Sequence, residues 1–144
     1  MPRAPRQHVG IQDAGRTDRV YPQRRMSSLS KGDAVFRYYP RLARVKEYVE
    51  QSNSRRVPLN DAARVACLER KYFSVYFRAK MGVTFTHWQT TVRIERAVRI
   101  LESRDESVTR VAWLTGFRSL RTFERAFKQC LGVTPFEFKL SVRP

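Results

Sequence analysis

The chain has few acidic residues, few cysteines and no long apolar run. Its 144 residues include 13 Asp and Glu against 29 Lys and Arg, which gives a formal net charge of +16. Its two cysteines, Cys67 and Cys130, are too few for a disulfide framework and fit a reducing cytoplasm. No apolar run approaches the ~18 residues that a membrane span requires, and the N-terminus has no apolar segment of a secretory signal. We therefore expect a cytoplasmic chain with no membrane contact.

Catalytic and metal-binding patterns are also missing from the sequence. It has no glycine-rich phosphate loop, carboxylate dyad or nucleophile motif, so we predict that the chain is not an enzyme and uses no cofactor. The two histidines, His8 and His87, and the two cysteines lack the spacing of a zinc site, so we predict no metal. Cys67 falls at a turn, where a small buried filler is favoured over a redox sensor.

Positive charge is what the chain has in excess. Residues 1–35 hold seven basic and three acidic residues, which leaves 22 basic and 10 acidic residues on residues 36–144. Charge of that sign on a small body favours polyanions. The first 35 residues mix Pro, Gly, Ser, Gln and Arg with few large apolar groups and cannot bury enough surface to offset ordering entropy. We predict a disordered basic tail over residues 1–38 and one compact domain over residues 39–144.

Two stretches about fifty residues apart carry the same pattern. Residues 59–85 match residues 108–135 with an offset of 49 before a turn and 50 after it, so the inserted residue falls where an insertion is cheapest. A repeated two-helix unit in so basic a chain suggests two helix-turn-helix units on one DNA duplex. The matched pairs are Leu59 and Val108, Ala62 and Val111, Ala63 and Ala112, Cys67 and Gly116, Phe73 and Phe123, Phe77 and Phe127, Gly82 and Gly132, Val83 and Val133, and Thr84 and Thr134.

Apolar periodicity predicts an all-α fold of seven helices without strands. Two helix-turn-helix units, at about residues 59–82 and 108–132, are joined by a helix from about Phe85 to Glu102, which would span roughly 27 Å. Gly82 and Gly132 are placed to end helices by adopting the left-handed conformation. Thr84 and Ser119 are placed to cap the N-termini of the helices that follow them. The residues Thr134-Pro135-Phe136-Glu137 predict a capping box that opens the last helix. Expected core residues include Leu42, Val45, Tyr48, Val49, Phe85, Trp88, Val92, Ala97, Val98, Leu101 and Trp113.

The second half of the chain resembles a known family. It contains the motif Arg93-Ile94-x-x-Ala97-x-x-x-Leu101. Fixed spacing then continues through Val108-x-x-Val111-Ala112-x-x-x-Gly116-Phe117-x-Ser119-x-x-x-Phe123-x-Arg125-x-Phe127-Lys128-x-x-x-Gly132-x-Thr134-Pro135. This pattern is similar to the DNA-binding domain of AraC/XylS-type transcription regulators, over about Leu42–Ser141. The first half matches less closely, since Cys67 and Glu69 stand where the family often has a turn-former and a Ser cap.

The resemblance implies a sequence-specific regulator that binds double-stranded DNA with both units. Each recognition helix would enter one major groove on the same face of the duplex. Two units in one chain remove the need for a symmetric dimer, so we expect a monomer on an asymmetric site with two unlike half-sites roughly 10 bp apart. The resemblance also favours activation through contact with RNA polymerase.

Candidate base-facing residues lie on the exposed faces of the two recognition helices. Lys71 and either Arg121 or Arg125 can donate to guanine, Val75 can pack on a thymine methyl, and Glu124 can accept from cytosine N4. Arg78 and Lys128, at the far ends of these helices, are candidate phosphate contacts. The full base-facing set is Lys71, Ser74, Val75, Leu120, Arg121, Glu124 and Arg125.

Two alternatives stay open at this point. A non-specific nucleic-acid-binding module would share the charge, but would bind any duplex alike. Many members of the family carry a ligand-binding or dimerising domain, and the 38 residues before this domain are too few for one. The chain is thus expected to be either a stand-alone regulator or the DNA-binding fragment of a longer, ligand-responsive one.

Overall fold

A computed structural model describes residues 32–52 and 55–143 of the chain. Within these ranges it contains eight helices and no strand, which confirms the all-α class with two helix-turn-helix units joined by a long helix. The helices are α1 (32–38), α2 (Pro40–Gln51), α3 (Leu59–Val65), α4 (Arg70–Met81), α5 (Phe85–Ser103), α6 (Val108–Leu114), α7 (Leu120–Leu131) and α8 (Pro135–Val142).

Helix α1 is an eighth helix that precedes the seven predicted ones and lies in the segment predicted to be a disordered tail. Residues 32–38 are helical, and Phe36 is buried with its ring 5.2 Å from that of Trp88. Asp33 also pairs with Lys46 of α2, at 2.8 Å between the carboxylate and the ammonium. The prediction used the average composition of the N-terminal region, which does not show this short apolar segment. Contacts with α2 and α5 hold the segment in place. The rest of the predicted tail, residues 1–31, lies outside the described residues.

The buried side chains form two separate cores, one on each half of α5. In the first core, the rings of Phe73, Phe77 and Phe85 lie 5.5–5.7 Å apart. In the second core, the rings of Phe123 and Phe127 lie 5.7 Å apart in an edge-to-face arrangement. Helix α5 contributes residues to both cores. The two subdomains therefore share one helix, and its shape and its contacts fix their relative placement.

The helix ends follow the sequence signals closely. Gly82 and Gly132 end α4 and α7 with φ of 75° and 81°, the left-handed caps that the sequence predicts. Thr84 accepts a hydrogen bond from the amide of His87 at the start of α5. The predicted capping box at the start of α8 is present in full. Ser119 caps α7 with its side chain, whereas Glu69 makes no such bond at the start of α4.

Three residues expected to be buried are exposed. Trp113 is 57% exposed because α6 has only seven residues and already uses Val111 and Ala112 for its buried face. Tyr48 is 41% exposed, since Val45 and Val49 fill the buried face of α2. Cys67 is exposed in the turn after α3, so the prediction of a small buried filler is wrong. Each error came from treating an apolar or small residue as buried when neighbouring residues already covered that face.

Neither a membrane span nor a metal site occurs in the part of the chain that the structure describes. Over the ranges 32–52 and 55–143, no helix is both long and apolar enough to cross a membrane. No group of three or more His, Cys, Asp or Glu side chains in the same ranges could hold a metal ion.

Candidate nucleic-acid interface

The two recognition helices, α4 and α7, are built to the same plan. Each has twelve residues, buries two phenylalanines one turn apart and ends at a left-handed glycine. The opposite face of each helix carries side chains at intervals of three, one and three residues, so they form a single stripe. We call these the α4 stripe, Lys71, Ser74, Val75 and Arg78, and the α7 stripe, Arg121, Glu124, Arg125 and Lys128.

The structure places all the predicted site residues except Leu120 on these two stripes. In the α4 stripe, Ser74 alone is half-buried, and the other three side chains are exposed, Val75 by 64%. The α7 stripe is exposed throughout, and Leu120 beside it is 37% exposed. The stripes occupy equivalent positions at an offset of 50 residues, but they lie on different subdomains and do not form one site. This arrangement suits two separate contacts on an extended ligand.

Three cationic groups of the stripes are available for a ligand. The side chains of Lys71, Arg121 and Arg125 make no hydrogen bond or ion pair with any other residue that the structure describes. The only carboxylate in either stripe is Glu124, so the α7 stripe combines three cations with one anion. Guanidinium and ammonium groups held on a helix face without internal partners are suited to contact phosphates or the acceptor edges of bases.

The turns of the two units have the same hydrogen bonds. The amide of Leu68 donates to the carbonyl of Ala63 at 2.9 Å, and the amide of Phe117 donates to that of Ala112 at 3.0 Å. Cys67 adopts a left-handed φ of 55°, in the position where Gly116 has φ of 82°. Cysteine in place of glycine therefore leaves the hydrogen bonding of the first turn intact, at the cost of an unfavourable backbone conformation.

Each turn is also held by an arginine from the helix before it, which sequence reasoning missed. Arg41 of α2 donates to the carbonyls of Ala66 and Cys67 at 3.4 and 3.3 Å. Arg93 of α5 donates from Nε to the carbonyl of Thr115 at 2.9 Å. Ala66 and Thr115 are equivalent residues of the repeat. The two arginines also occupy similar places in the sequence. Arg41 and Arg93 are 52 residues apart, and each is followed directly by a buried aliphatic residue. This shared pattern is the sequence signal that could have identified them.

Arg93 makes the closer contact of the two arginines. Its guanidinium lies 3.9 Å from the centre of the Phe117 ring, a cation–π contact between α5 and the turn of the second helix-turn-helix unit. Burial, with a smaller effect of the positive charge of Arg56, lowers the pKa of Arg93 to about 10. The group therefore stays protonated at neutral pH, and its hydrogen bond is charge-assisted.

Gln89, one turn before Arg93 on α5, is a second residue that sequence reasoning missed. It is 2% exposed, and its side-chain amide makes two hydrogen bonds with the backbone of Val57, just before α3. The oxygen accepts from the Val57 amide at 2.6 Å, and the nitrogen donates to the Val57 carbonyl at 3.0 Å. One side chain of α5 therefore bonds both the amide and the carbonyl of the segment that enters the first helix-turn-helix unit.

Comparison with known proteins identifies the family of this arrangement. A family model described as a helix-turn-helix domain matches residues 62–141, more than half of the chain. A solved AraC-type regulator from Chromobacterium violaceum has the same fold, with a TM-score of 0.67 and 20% identity over 73% of this chain and 95% of that one. The chain belongs to the AraC-type helix-turn-helix family. It therefore contains the DNA-binding domain of a transcription regulator.

Two further relatives of this AraC-type domain extend the comparison. The chain is 26% identical over 99 residues to the probable transcriptional regulator LumQ of Photobacterium leiognathi, covering 69% of this chain and 40% of LumQ. It is 30% identical to the DNA-binding domain of the global transcriptional factor AdpA, solved in complex with a target DNA, with a TM-score of 0.66 over 70% of this chain and 91% of that one. The chain spans less than half the length of the curated relatives that it matches.

Proposed function

We propose that this AraC-type domain binds specific sequences of double-stranded DNA by inserting α4 and α7 into successive major grooves. The observation that carries the proposal is a pair of equivalent stripes on two helices joined by one 19-residue helix. In these stripes Lys71, Arg121 and Arg125 are exposed and make no hydrogen bond or ion pair with another described residue. That helix is about 28 Å long at ~1.5 Å per residue, close to the 34–36 Å of one DNA turn. The AdpA domain, similar in sequence and fold, was solved with its target DNA.

Base reading is assigned to the exposed members of both stripes. Arg121 and Arg125 can each donate two hydrogen bonds to guanine O6 and N7, and Lys71 can donate to the same edge. Glu124 can accept from cytosine N4, and Val75, being 64% exposed, can pack on a thymine methyl. Ser74 and Leu120 complete the base-facing set, with Ser74 the least accessible of them.

Phosphate contacts are assigned to Arg78 and Lys128, near the C-terminal ends of the recognition helices. Each occupies the last position of its stripe, one turn beyond the base-facing residues. A cation there can contact the backbone beside the groove, which positions the domain but carries no base identity. The positive charge of the whole chain adds a non-specific attraction to any duplex.

Further proposals concern the regulator as a whole. We expect one chain to occupy one asymmetric site as a monomer, since both recognition helices belong to the same chain. We propose that it acts in the cytoplasm as an activator that contacts RNA polymerase, with no catalytic activity. Family resemblance supports activation and contact with RNA polymerase, and a reporter gene placed behind a selected site would distinguish activation from repression.

Selection of bound sequences from random duplex DNA tests the proposal directly. We expect enrichment of one asymmetric site whose two unlike halves are about one helical turn apart. Arg121→Ala should weaken binding by about 1–3 kcal/mol and relax preference at one or two base pairs of one half only. Lys71→Ala should do the same in the other half, because its helix occupies the other groove.

Two control variants separate base reading from charge. Lys128→Ala should weaken binding to all sequences alike, since a phosphate contact carries no base identity. Arg99→Ala removes one positive charge from α5 at an exposed residue outside both stripes and should leave the selected sequence unchanged. Selection that enriches no sequence would support a non-specific module instead. If Arg121→Ala and Lys71→Ala alter the same base pairs, the assignment of two independent recognition helices is wrong.

A further inference from the structure

Helix α5 is paired with the first helix-turn-helix unit through Gln89. This buried side chain makes two hydrogen bonds, of 2.6 and 3.0 Å, with the amide and carbonyl of Val57. Val57 is buried and is followed by Pro58, the N-cap residue of α3. Two bonds from one planar amide fix both the distance and the rotation of that segment on α5.

The same helix is paired with the second unit through Arg93. Its Nε donates to the carbonyl of Thr115 at 2.9 Å, and its guanidinium covers the Phe117 ring at 3.9 Å. Thr115 is fully buried and is the C-cap residue of α6, so the bond reaches the turn that leads to α7. A directional bond combined with a planar contact again fixes distance and rotation together.

Gln89 and Arg93 are one helical turn apart on α5, about 6 Å along its axis and on the same face. Gln89 bonds to the backbone of the segment that leads into the first helix-turn-helix unit, 32 residues away in sequence, and Arg93 bonds to the turn of the second unit, 22 residues away. The two subdomains have separate cores, so these contacts act at the place where the subdomains meet on their shared helix.

From this geometry we infer that Gln89 and Arg93 are positioning residues that set the half-site spacing which the two recognition helices accept. The inference rests on the proposed function. A rigid pair of attachments holds α4 and α7 at one separation and one relative rotation. Each base pair added between the half-sites displaces one of them by about 3.4 Å and rotates it by about 35° around the duplex. The protein therefore tolerates a changed spacing only if an attachment yields.

Arg41 supplies the matched control, because its contacts lie within one subdomain. It reaches the equivalent turn carbonyls of the first unit, but from α2, which the second subdomain does not share. Loss of Arg41 should therefore loosen the first unit internally without changing how the two units are spaced. The Arg41 and Arg93 variants each remove an arginine that donates to the carbonyls of a helix-turn-helix turn.

The test measures affinity of the full chain on duplexes whose half-sites, taken from the selected site, are separated by two base pairs fewer to two base pairs more than the optimum. For the unmodified protein, a change of one base pair should lower affinity by about tenfold or more, comparable to a mismatched base pair. Arg93→Gln should flatten this profile to a loss of no more than about threefold, while the base preferences within each half-site persist. Arg41→Gln should lower affinity by a similar factor at every spacing and leave the optimum sharp.

The profile distinguishes a positioning role from a merely structural one. If Arg93→Gln weakens binding by one factor at all spacings, Arg93 only supports the fold or contacts phosphate, and the inference is overturned. Circular dichroism shows whether each variant is folded. Arg93→Lys keeps the charge but not the planar group over Phe117. It replaces Arg93→Gln in the spacing test if Arg93→Gln does not fold. It should flatten the profile partially, and a profile as sharp as that of the unmodified chain would overturn the inference.

Failure of the inference is distinguishable from failure of the proposed function. If random selection enriches no sequence, the domain does not read DNA as proposed, and no spacing profile exists to compare. If selection enriches a two-part site but the Arg93 variants keep its strict spacing, the DNA-reading proposal survives and the role assigned to Gln89 and Arg93 does not.

Discussion

The replacement Cys67→Gly should stabilise the chain, although it removes a side chain from the first helix-turn-helix turn. Cys67 has φ of 55°, the left-handed region that a side chain makes unfavourable, and among the described non-glycine residues it is the only one with positive φ. Its counterpart in the second unit, Gly116, has φ of 82°. Cys67 is exposed, so little packing is lost when its side chain is removed.

The magnitude follows from two opposing backbone effects. A side chain in the left-handed conformation costs roughly 1–2 kcal/mol relative to the right-handed one. Glycine loses about 0.5–1 kcal/mol more backbone entropy on folding than other residues. The difference leaves a net gain of about 0.5–1 kcal/mol in the free energy of unfolding. The hydrogen bond from Leu68 to Ala63 does not involve the side chain and should persist.

Urea unfolding followed by tryptophan fluorescence measures this change where it acts. Trp88 is 3% exposed in the first core, so its emission reports the unfolding of the subdomain that contains Cys67. Gly132→Ala is the reciprocal control, since Gly132 has φ of 81° and an added Cβ would meet no atom within 4 Å. It should lose about 1 kcal/mol through backbone conformation alone, as followed by far-ultraviolet circular dichroism.

The reasoning is refuted if Cys67→Gly lowers the urea midpoint while Gly132→Ala also lowers it. The Cys67 side chain would then make a stabilising contact that outweighs its backbone strain. DNA affinity should stay unchanged in Cys67→Gly, because the turn bonds that position α4 are made by the backbone.

Three further predictions concern binding and pH. Contact with about 6–8 phosphates should give a slope of log K against log salt near −5 to −7, and a slope shallower than about −2 would contradict contact with two grooves. One chain should protect about 20 bp, and analytical ultracentrifugation of the complex on a minimal site should find one protein per duplex rather than two. Hydrogen bonds from the Thr134 amide and hydroxyl lower the pKa of Glu137, so its stabilising effect is present above the ordinary glutamate pKa near 4.3 and is lost as pH falls through the lower folded value. Urea midpoints measured from pH 6 to pH 3 should therefore fall less steeply in Glu137→Gln than in the unmodified chain, and equal slopes would contradict the assignment.

The sequence alone predicted those features that depend on neighbours within a helical turn. Thr84, Ser119 and Thr134 cap helices as expected, because a hydroxyl reaches an amide two or three residues on regardless of the rest of the fold. Gly82 and Gly132 end the recognition helices for an equally local reason. The stripes follow from the same periodicity, since burying the paired phenylalanines turns the opposite side chains outward. Their roles on DNA stay predictions.

Features that depend on packing were not visible in the sequence. The helix over residues 32–38 buries Phe36 against Trp88, more than fifty residues away in the chain, and no neighbour in sequence indicates that contact. Trp113 is exposed because two smaller residues already fill the buried face of its short helix. Composition describes the average tendency of a segment, whereas burial depends on which surfaces meet.

The attachments on α5 show most clearly where sequence reasoning ends. Periodicity predicted a long helix between two units, and the repeat predicted that the units are alike. Only the tertiary structure decided how they are joined, because Gln89 and Arg93 bond to backbone atoms 32 and 22 residues away. Tertiary packing decides which distant carbonyl lies within about 3 Å of a side chain. No local sequence pattern indicates which carbonyl that is.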